Sequence, residues 1–314
     1  MLMTSETQRQ NYQIMWEGRS SIRSRPRKII DFNKLGYFFP ENKQPLLLNQ
    51  ELNQLLQDKK EEILLQTFKK YLNDIINLEI KLISSACHSI LYTDLIIPFK
   101  NSTKLHIHTI LIDEYYHVYV AQDMLLQINK QFPHLGSLDY PESDAQNAVK
   151  KIKQSLLPQY RKMFEILAVC IFETTLIKEL VEFFDSEDLN PSIKCYVNDH
   201  MNDESRHFGF FFDLMCDIWK RLPDDYRMSI GNQLANFIHL YLNIQSDKGF
   251  YFELLYQSTK DKAYSRKMIE ELYVGFEITP DIPIVKNVFN VLTKSGLLDH
   301  SAVQNGFKAF GWVF

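Results

Sequence analysis

From Lys59 to Tyr92 the chain reads KKEEILLQTFKKYLNDIINLEIKLISSACHSILY, more than 30 residues without a glycine or a proline. Apolar residues return every three or four positions, the period of a helix that buries one face. A run of this length cannot be a strand, and it commits the chain to long helices. NSTKLHIHTILIDEYYHVYVAQDMLLQINKQF follows with the same character, and Ser102 or Thr103 is placed to cap its start. With 10 Gly and 11 Pro in 314 residues, the breaks are few and legible. FPHLGSLDYPESDAQ is the clearest loop. A third long helix is expected from about Pro158 to Phe184. A fourth starts near Asn190 or Ser192 and ends near Arg221, before RLPDD.

Further helices are expected at about 224–245, 260–275 and 283–296, with the aromatic end FKAFGWVF packed back on the body. No alternating strand series and no short-period repeat interrupts this pattern. The expected fold is therefore all-α: a four-helix bundle core over about residues 60–221, with additional N- and C-terminal helices. Residues 1–48 read as an irregular arm. Residues 49–314 read as a single helical domain, its extra helices occupying about 224–314. Within the arm, GRSSIRSRPRKII concentrates Arg19, Arg23, Arg25, Arg27 and Lys28. A solvated strap laid over the domain explains that run better than an anion-binding or partner-binding arm.

Composition narrows the function classes. A net charge of −4 and a pI near 6.2 argue against a nucleic-acid binder. Cys87, Cys170, Cys195 and Cys216 form no CxxC pair, which suits free thiols in a reducing compartment. Met1 to Gln13 lacks the apolar core of a signal peptide, and no uncharged apolar run reaches the ~18 residues that span a bilayer. A soluble cytoplasmic protein without membrane contact is the expectation.

DEYYH places Glu114 and His117 three residues apart, and NDESRH repeats the spacing with Glu204 and His207. On a helix three residues are roughly 300° of rotation, so each pair shares a face. An aspartate precedes both glutamates, giving D-E-x-x-H twice. With 19 Glu and 9 His, composition alone yields about 0.5 E-x-x-H matches, so one copy would mean nothing. Two copies on long helices, each after an aspartate, carry weight.

A carboxylate-bridged two-metal site in a four-helix bundle needs a glutamate from each of two helices and a Glu-x-x-His pair from each of the others. Glu79, in DIINLEIKLISS, and Glu173, in LAVCIFETTLI, supply the two glutamates from strongly apolar settings. His200, one turn before Glu204 on the same face, adds a third imidazole beyond what the plain site needs. Asp113 and Asp203 are placed to orient histidines on neighbouring helices, and Arg206 to hold such an aspartate. His106 shares nearly the angular position of His117, but a polar supporting or surface role suits it better than lining the cavity, and His88 falls on the wrong face. Tyr115, Tyr116, Tyr119, Phe208, Phe210, Phe211 and Phe212 are expected to wall a dry pocket.

This order, Glu79, then Glu114 with His117, then Glu173, then His200 with Glu204 and His207, resembles the di-iron amine N-oxygenases typified by p-aminobenzoate N-oxygenase. The resemblance covers about residues 60–220, and all seven ligand positions are filled. The H-x-x-x-E-x-x-H run sets that family apart from ferritins, ribonucleotide reductase small subunits and acyl desaturases. The resemblance implies a ferritin-like domain, two iron ions and a homodimer. It also implies O2 as co-substrate, activated through a peroxo-type intermediate, with electrons from an external donor of ferredoxin or reductase type. The substrate it implies is a primary amine, an arylamine or an amino-acid-like one, oxidised to a hydroxylamine, nitroso or nitro product. Two other classes stay open: an oxygenase or oxidase attacking C–H bonds at the same kind of centre, and a non-catalytic iron-binding protein. Carboxylate and imidazole ligands also admit manganese.

Overall fold

The computed structural model describes Tyr12, residues 14–136, 138–175, Phe184 and residues 186–312. Four long helical segments form the bundle. The first is α1 (Lys60–Leu78), which passes through a wider π-helical turn at Glu79–Ile83 into α2 (Ser84–Tyr92). The others are α3 (Asn101–Gln131), α5 (Pro158–Glu173) and α6 (Pro191–Arg221). α4 (Asp144–Ser155) connects α3 to α5. α1 packs along α3, α5 along α6, and the α2 segment on both α3 and α5. Among the described residues the extended pairing is one isolated bridge, Tyr37 with Leu189. No helix there is long and apolar enough to cross a membrane.

Local chemistry accounts for most boundaries. Pro191 occupies the first turn of α6, where its missing N–H costs nothing, and Asn190 caps it by accepting the Ser192 N–H at 2.9 Å. α3 instead begins two or three residues earlier than its hydroxyls suggested. Its cap is Lys100, and neither Ser102 nor Thr103 serves. α4 starts inside the segment expected to be loop, because Ser143 and Gln146 close a reciprocal capping box.

α5 ends at Glu173, short of the expected Phe184. The Thr174 and Thr175 hydroxyls bond back to the carbonyls of Cys170 and Ile171 at 2.7 and 2.8 Å, competing with the helical ladder. The expected continuation over 176–183 lies outside the described residues, as do residues 1–11, Gln13 and the last two residues of FKAFGWVF.

The C-terminal part is more finely divided than its pattern suggests. α7 (Asp224–Tyr241), α8 (Gln245–Thr259), α9 (Lys262–Leu272), α10 (Pro283–Lys294) and α11 (Ser301–Ala309) follow one another. α8 and α11 were not expected. α8 is apolar on several sides, so the 3.6-residue period is faint in its sequence. α7 packs against α4 and α11, and one apolar core runs from Leu82 through Phe164 and Phe237 to Trp312. Phe164 and Phe237 meet edge to face at 5.5 Å, each fully buried.

The arm is not wholly irregular: residues 14–19 and Ser21–Ser24 are helical, and Pro45–Leu48 forms another turn. It lies over the bundle as a strap. Arg27 makes a two-pronged ion pair with Asp123, and Arg25 and Lys28 both hold Asp199. Gly36, at φ 120°, lets the arm cross the start of α6. A Cβ there would stand 2.5 Å from the backbone nitrogen of Asn190.

Candidate metal centre

Each bundle segment aims at least one carboxylate inward. Glu79 stands at the head of the π-helical turn, where Ser84 N–H returns to the Glu79 carbonyl five residues back. Such a turn rotates the side chains after it relative to an α-helix, and wide turns of this kind recur at functional sites. Glu114 and His117 come from α3, Glu173 from the last residue of α5, and His200, Glu204 and His207 from α6. All seven are buried. Isolated carboxylates are not kept in an apolar core without partners, since desolvating each one costs several kcal/mol (about, after relaxation).

The donor atoms gather into two groups. Glu79, His117, His200 and Glu204 each offer one atom, all within 4.8 Å of one another, and Glu114, Glu173, Glu204 and His207 do the same. Glu204 belongs to both. His200 Nε2 lies 3.2 Å from Glu79 and 3.1 Å from Glu204, while His207 Nδ1 lies 3.0 Å from Glu114 and 3.3 Å from Glu204. His117 Nδ1 sits among Glu79, Glu204 and Glu114 at 3.5, 3.4 and 3.9 Å.

The arrangement fits two cations and is poorly served without them. Glu79 Oε2, both Glu114 oxygens, Glu173 Oε2, His117 Nδ1 and His207 Nδ1 are buried with no hydrogen-bond partner. Four carboxylates would balance two divalent ions. Mixed oxygen and imidazole donors suit iron or manganese.

Protonation follows from that crowding. Burial pushes the Glu173 carboxyl well up, and Glu204 and Glu114 push it further. Glu79 is raised by burial and then by Glu114. Glu204 is also penalised by burial, but His207 and His200 outweigh it and hold the group well below the carboxylate range. Burial disfavours the His117 and His207 imidazolium forms, yet Glu79 on one side and Glu204 with Glu114 on the other raise both rings well above their ordinary value.

Behind the donors, the aspartates exchange partners. Asp203 Oδ2 lies 3.1 Å from His117 Nε2, and Asp113 Oδ2 lies 3.4 Å from His207 Nε2. Each carboxylate thus steadies an imidazole on the opposite helix and leaves Nδ1 facing the centre. Arg206 bonds both aspartates, Asp203 closely and Asp113 at 3.2 Å.

The arm completes this layer with residues that sequence reasoning missed. Trp16 Nε1 donates to Asp113 at 2.9 Å and the Ser20 hydroxyl donates to the same oxygen. Ser21 N–H donates to Asp203 at 3.1 Å. No motif marks them; the signal available was a Trp and a Ser-Ser pair inside a basic arm, too common to single out.

Several other expectations change. His106 is buried behind His207, where it lines a small cavity with Tyr12 and Trp16 and touches the Phe210 ring. His88 is exposed, against Tyr92. The expected aromatic pocket does not form from the residues named for it. Tyr115, Tyr119 and Phe208 face outward, Phe211 belongs to the core, and Phe210 lines the small cavity. α3 and α6 turn one face to the centre, so their remaining aromatics must point elsewhere. The cavity that does reach the donors, about 210 Å³, is walled by Tyr71, Ile75, Leu78, Ile83 and Phe172. It touches the centre at Glu79, Glu173, His200 and Glu204. The Tyr71 and Tyr196 hydroxyls are buried beside it or near it without a hydrogen-bond partner.

Compared with known protein families, residues 24–255 match the family model described as p-aminobenzoate N-oxygenase AurF. That span contains all seven inward-facing donors. No curated protein sequence matches the chain.

Proposed function

The chain belongs to the p-aminobenzoate N-oxygenase family, di-iron enzymes with a ferritin-like helical fold, and from that premise we propose how its residues divide the work. Glu79, His117 and His200 would hold one iron, Glu114, Glu173 and His207 would hold the other, and Glu204 stands in reach of both. The observation that carries this assignment is the pair of four-donor groups meeting at Glu204. When bound, the two irons supply the redox chemistry that activates O2. Manganese in place of iron is a matter of supply and handling, because this donor set does not exclude it.

The protein's own share is orientation and shielding. Asp203 and Asp113 fix the ring orientation of His117 and His207, and Arg206 ties the two aspartates together. The apolar walls Ile75, Leu78, Ile83 and Phe172 exclude water and admit a primary amine to the centre. The net conversion takes an amine, O2, two electrons and two protons to a hydroxylamine and water. A second turn of the same stoichiometry gives the N,N-dihydroxyamine, which loses water to the nitroso compound, and a third gives the nitro product. The electrons come from an external ferredoxin or reductase.

Residues 49–314 work as one helical domain, in keeping with the apolar core that joins α2 and α5 to the C-terminal helices. We assign the enzyme to a homodimer that pairs through α3. Leu105, Ile112, Tyr115, Tyr119 and Leu126 make an exposed apolar stripe there at heptad-like spacing. Four free cysteines suit a reducing, cytoplasmic setting.

The test is to load the full chain anaerobically with Fe(II), measure the metal stoichiometry, then admit O2 and reductant with an arylamine and an aliphatic amine. Two irons per chain and products heavier by oxygen on nitrogen are expected. A stoichiometry other than two would sink the ligand assignment. Oxidation confined to carbon would establish a C–H oxygenase instead.

A further inference from the structure

One charged side chain on the wall of the 210 Å³ cavity is not part of the donor cluster: Asp74, on α1. Its Oδ2 accepts from Lys70 at 2.6 Å, and Lys70 reaches on to Asp247 at 2.9 Å. One ammonium therefore serves two carboxylates. That ammonium also lies over the Phe250 ring, 5.7 Å from its centroid, and Lys70 does not line the cavity. Among the described residues, no lysine or arginine does. Asp74 keeps 26% of its side-chain surface accessible, so it is not sealed behind its partner. Burial is the largest influence on its carboxyl and pushes it up, Lys70 draws it down, and Asp247 pushes it up again, so it stands above its ordinary value. The group as a whole sets one ammonium against two carboxylates.

The charges at the other end, on Glu79, Glu173 and Glu204, are claimed by the metal ions in the assignment above. Once they are neutralised, the cavity has one apolar barrel and one negative pole, at Asp74. Resting on the N-oxygenase reading, we propose that Asp74 sets substrate specificity: it receives the far end of a one-ring amine bearing a cation or a neutral hydrogen-bond donor, and it turns away amines with a carboxylate there.

Size supports the ring count. An apolar cavity of about 150 Å³ holds benzene, so 210 Å³ accommodates one ring with a small substituent. Length agrees, since Asp74 precedes Glu79 by five residues, roughly 7.5 Å of helix rise. That is commensurate with a para-substituted ring spanning from one pole to the other. A para-carboxylate would be buried against Asp74 with no free cation to offset it, whereas an amidinium would form charge-assisted paired bonds. p-Aminobenzoate itself is thus a poor fit for this chain.

The experiment uses the iron-loaded full chain and three arylamines that differ only at the para position: p-aminobenzoate, p-aminobenzamide and p-aminobenzamidine. Binding is measured by calorimetry and oxygenated products by mass. The amidine should bind roughly tenfold or more tighter than the benzoate, with the amide between, as expected for a charge-assisted bond gained against a like charge met. Asp74→Asn should narrow that gap to about threefold or less. Asp247→Asn, at a more exposed position, leaves Lys70 to Asp74 alone and should shrink the same gap without touching the cavity wall. Benzoate binding as tightly as amidine in the unaltered protein would overturn the assignment, as would a gap that neither variant changes. If the binding order holds but no amine gains oxygen, the pocket assignment stands and the N-oxygenase reading falls. If amines are oxygenated and the order is reversed, only the role of Asp74 falls.

Discussion

Asp203 is the sequence neighbour of Glu204, yet its carboxylate serves the opposite helix, with Oδ2 3.1 Å from His117 Nε2. Asp113 returns the arrangement toward His207, and Arg206 ties the two aspartates together. Each D-E-x-x-H segment therefore presents two donors and also orients the other segment's imidazole. α3 and α6 are locked in register by this exchange.

Asp203→Asn should weaken the group formed by Glu79, His117, His200 and Glu204 more than its neighbour. Removing such an orienting carboxylate costs roughly 10–100-fold in metal affinity. Titrating the variant with Fe(II) under anaerobic conditions should show one weakened step and one nearly intact. Two unchanged steps would mean that Asp203 does not govern His117.

Glu204 belongs to both donor groups, while Glu79 belongs to one. Glu204→Ala should therefore lose both ions, and Glu79→Ala should retain one. Metal analysis after gel filtration reads the difference directly. Equal loss from the two variants would contradict the shared role of Glu204.

Trp16→Phe keeps an aromatic ring but deletes the N–H that donates to Asp113. A hydrogen bond to a charged group is worth about 1.5–3 kcal/mol, so iron release to a chelator should accelerate while helix content stays constant. An unchanged release rate would reduce the arm to a cover with no hold on the centre.

The metal-free and metal-loaded proteins should part company as pH rises. Burial and His117 both disfavour a charged His200, yet Glu204 and Glu79 raise it from 6.5 to about 9. A proton held more tightly in the folded chain stabilises the fold fully below 6.5, and that contribution disappears as pH climbs through about 9. Ligation needs the neutral ring, so metal binding releases the same protons and tightens across that window. Thermal unfolding should show the melting temperature of the metal-free protein falling from pH 6.5 to 9 and the gap to the loaded protein widening. A constant gap would remove the imidazoles from the competition.

Much of this was legible because helices advertise themselves by period, and because buried carboxylates are too costly to be incidental. Glu79 and Glu173 stood out for being acidic in apolar runs, and His200 for sharing a face with Glu204. What was not legible depends on distance along the chain or on subtle backbone geometry. Ser20 and Ser21 gain their meaning only from Asp113 and Asp203, far away in sequence. The wide turn after Leu78 has no signature in EIKLI. α4 did announce itself, through Ser143 and Gln146, but the prolines and glycine before it spoke louder. The aromatics of α3 and α6 misled because period alone does not say which face of a helix meets a cavity.

The strap also sets a timetable. Ser21 leaves the ribosome 182 residues before Asp203, and Ser20 leaves 93 before Asp113. Contacts separated this widely close late, because the intervening chain must be organised first. The arm is made early, yet its contacts with the bundle have the long sequence separations that favour late closure. Iron that arrives before docking would find the donors but loosely held imidazoles, and the strap would then close over it like a latch on a loaded box.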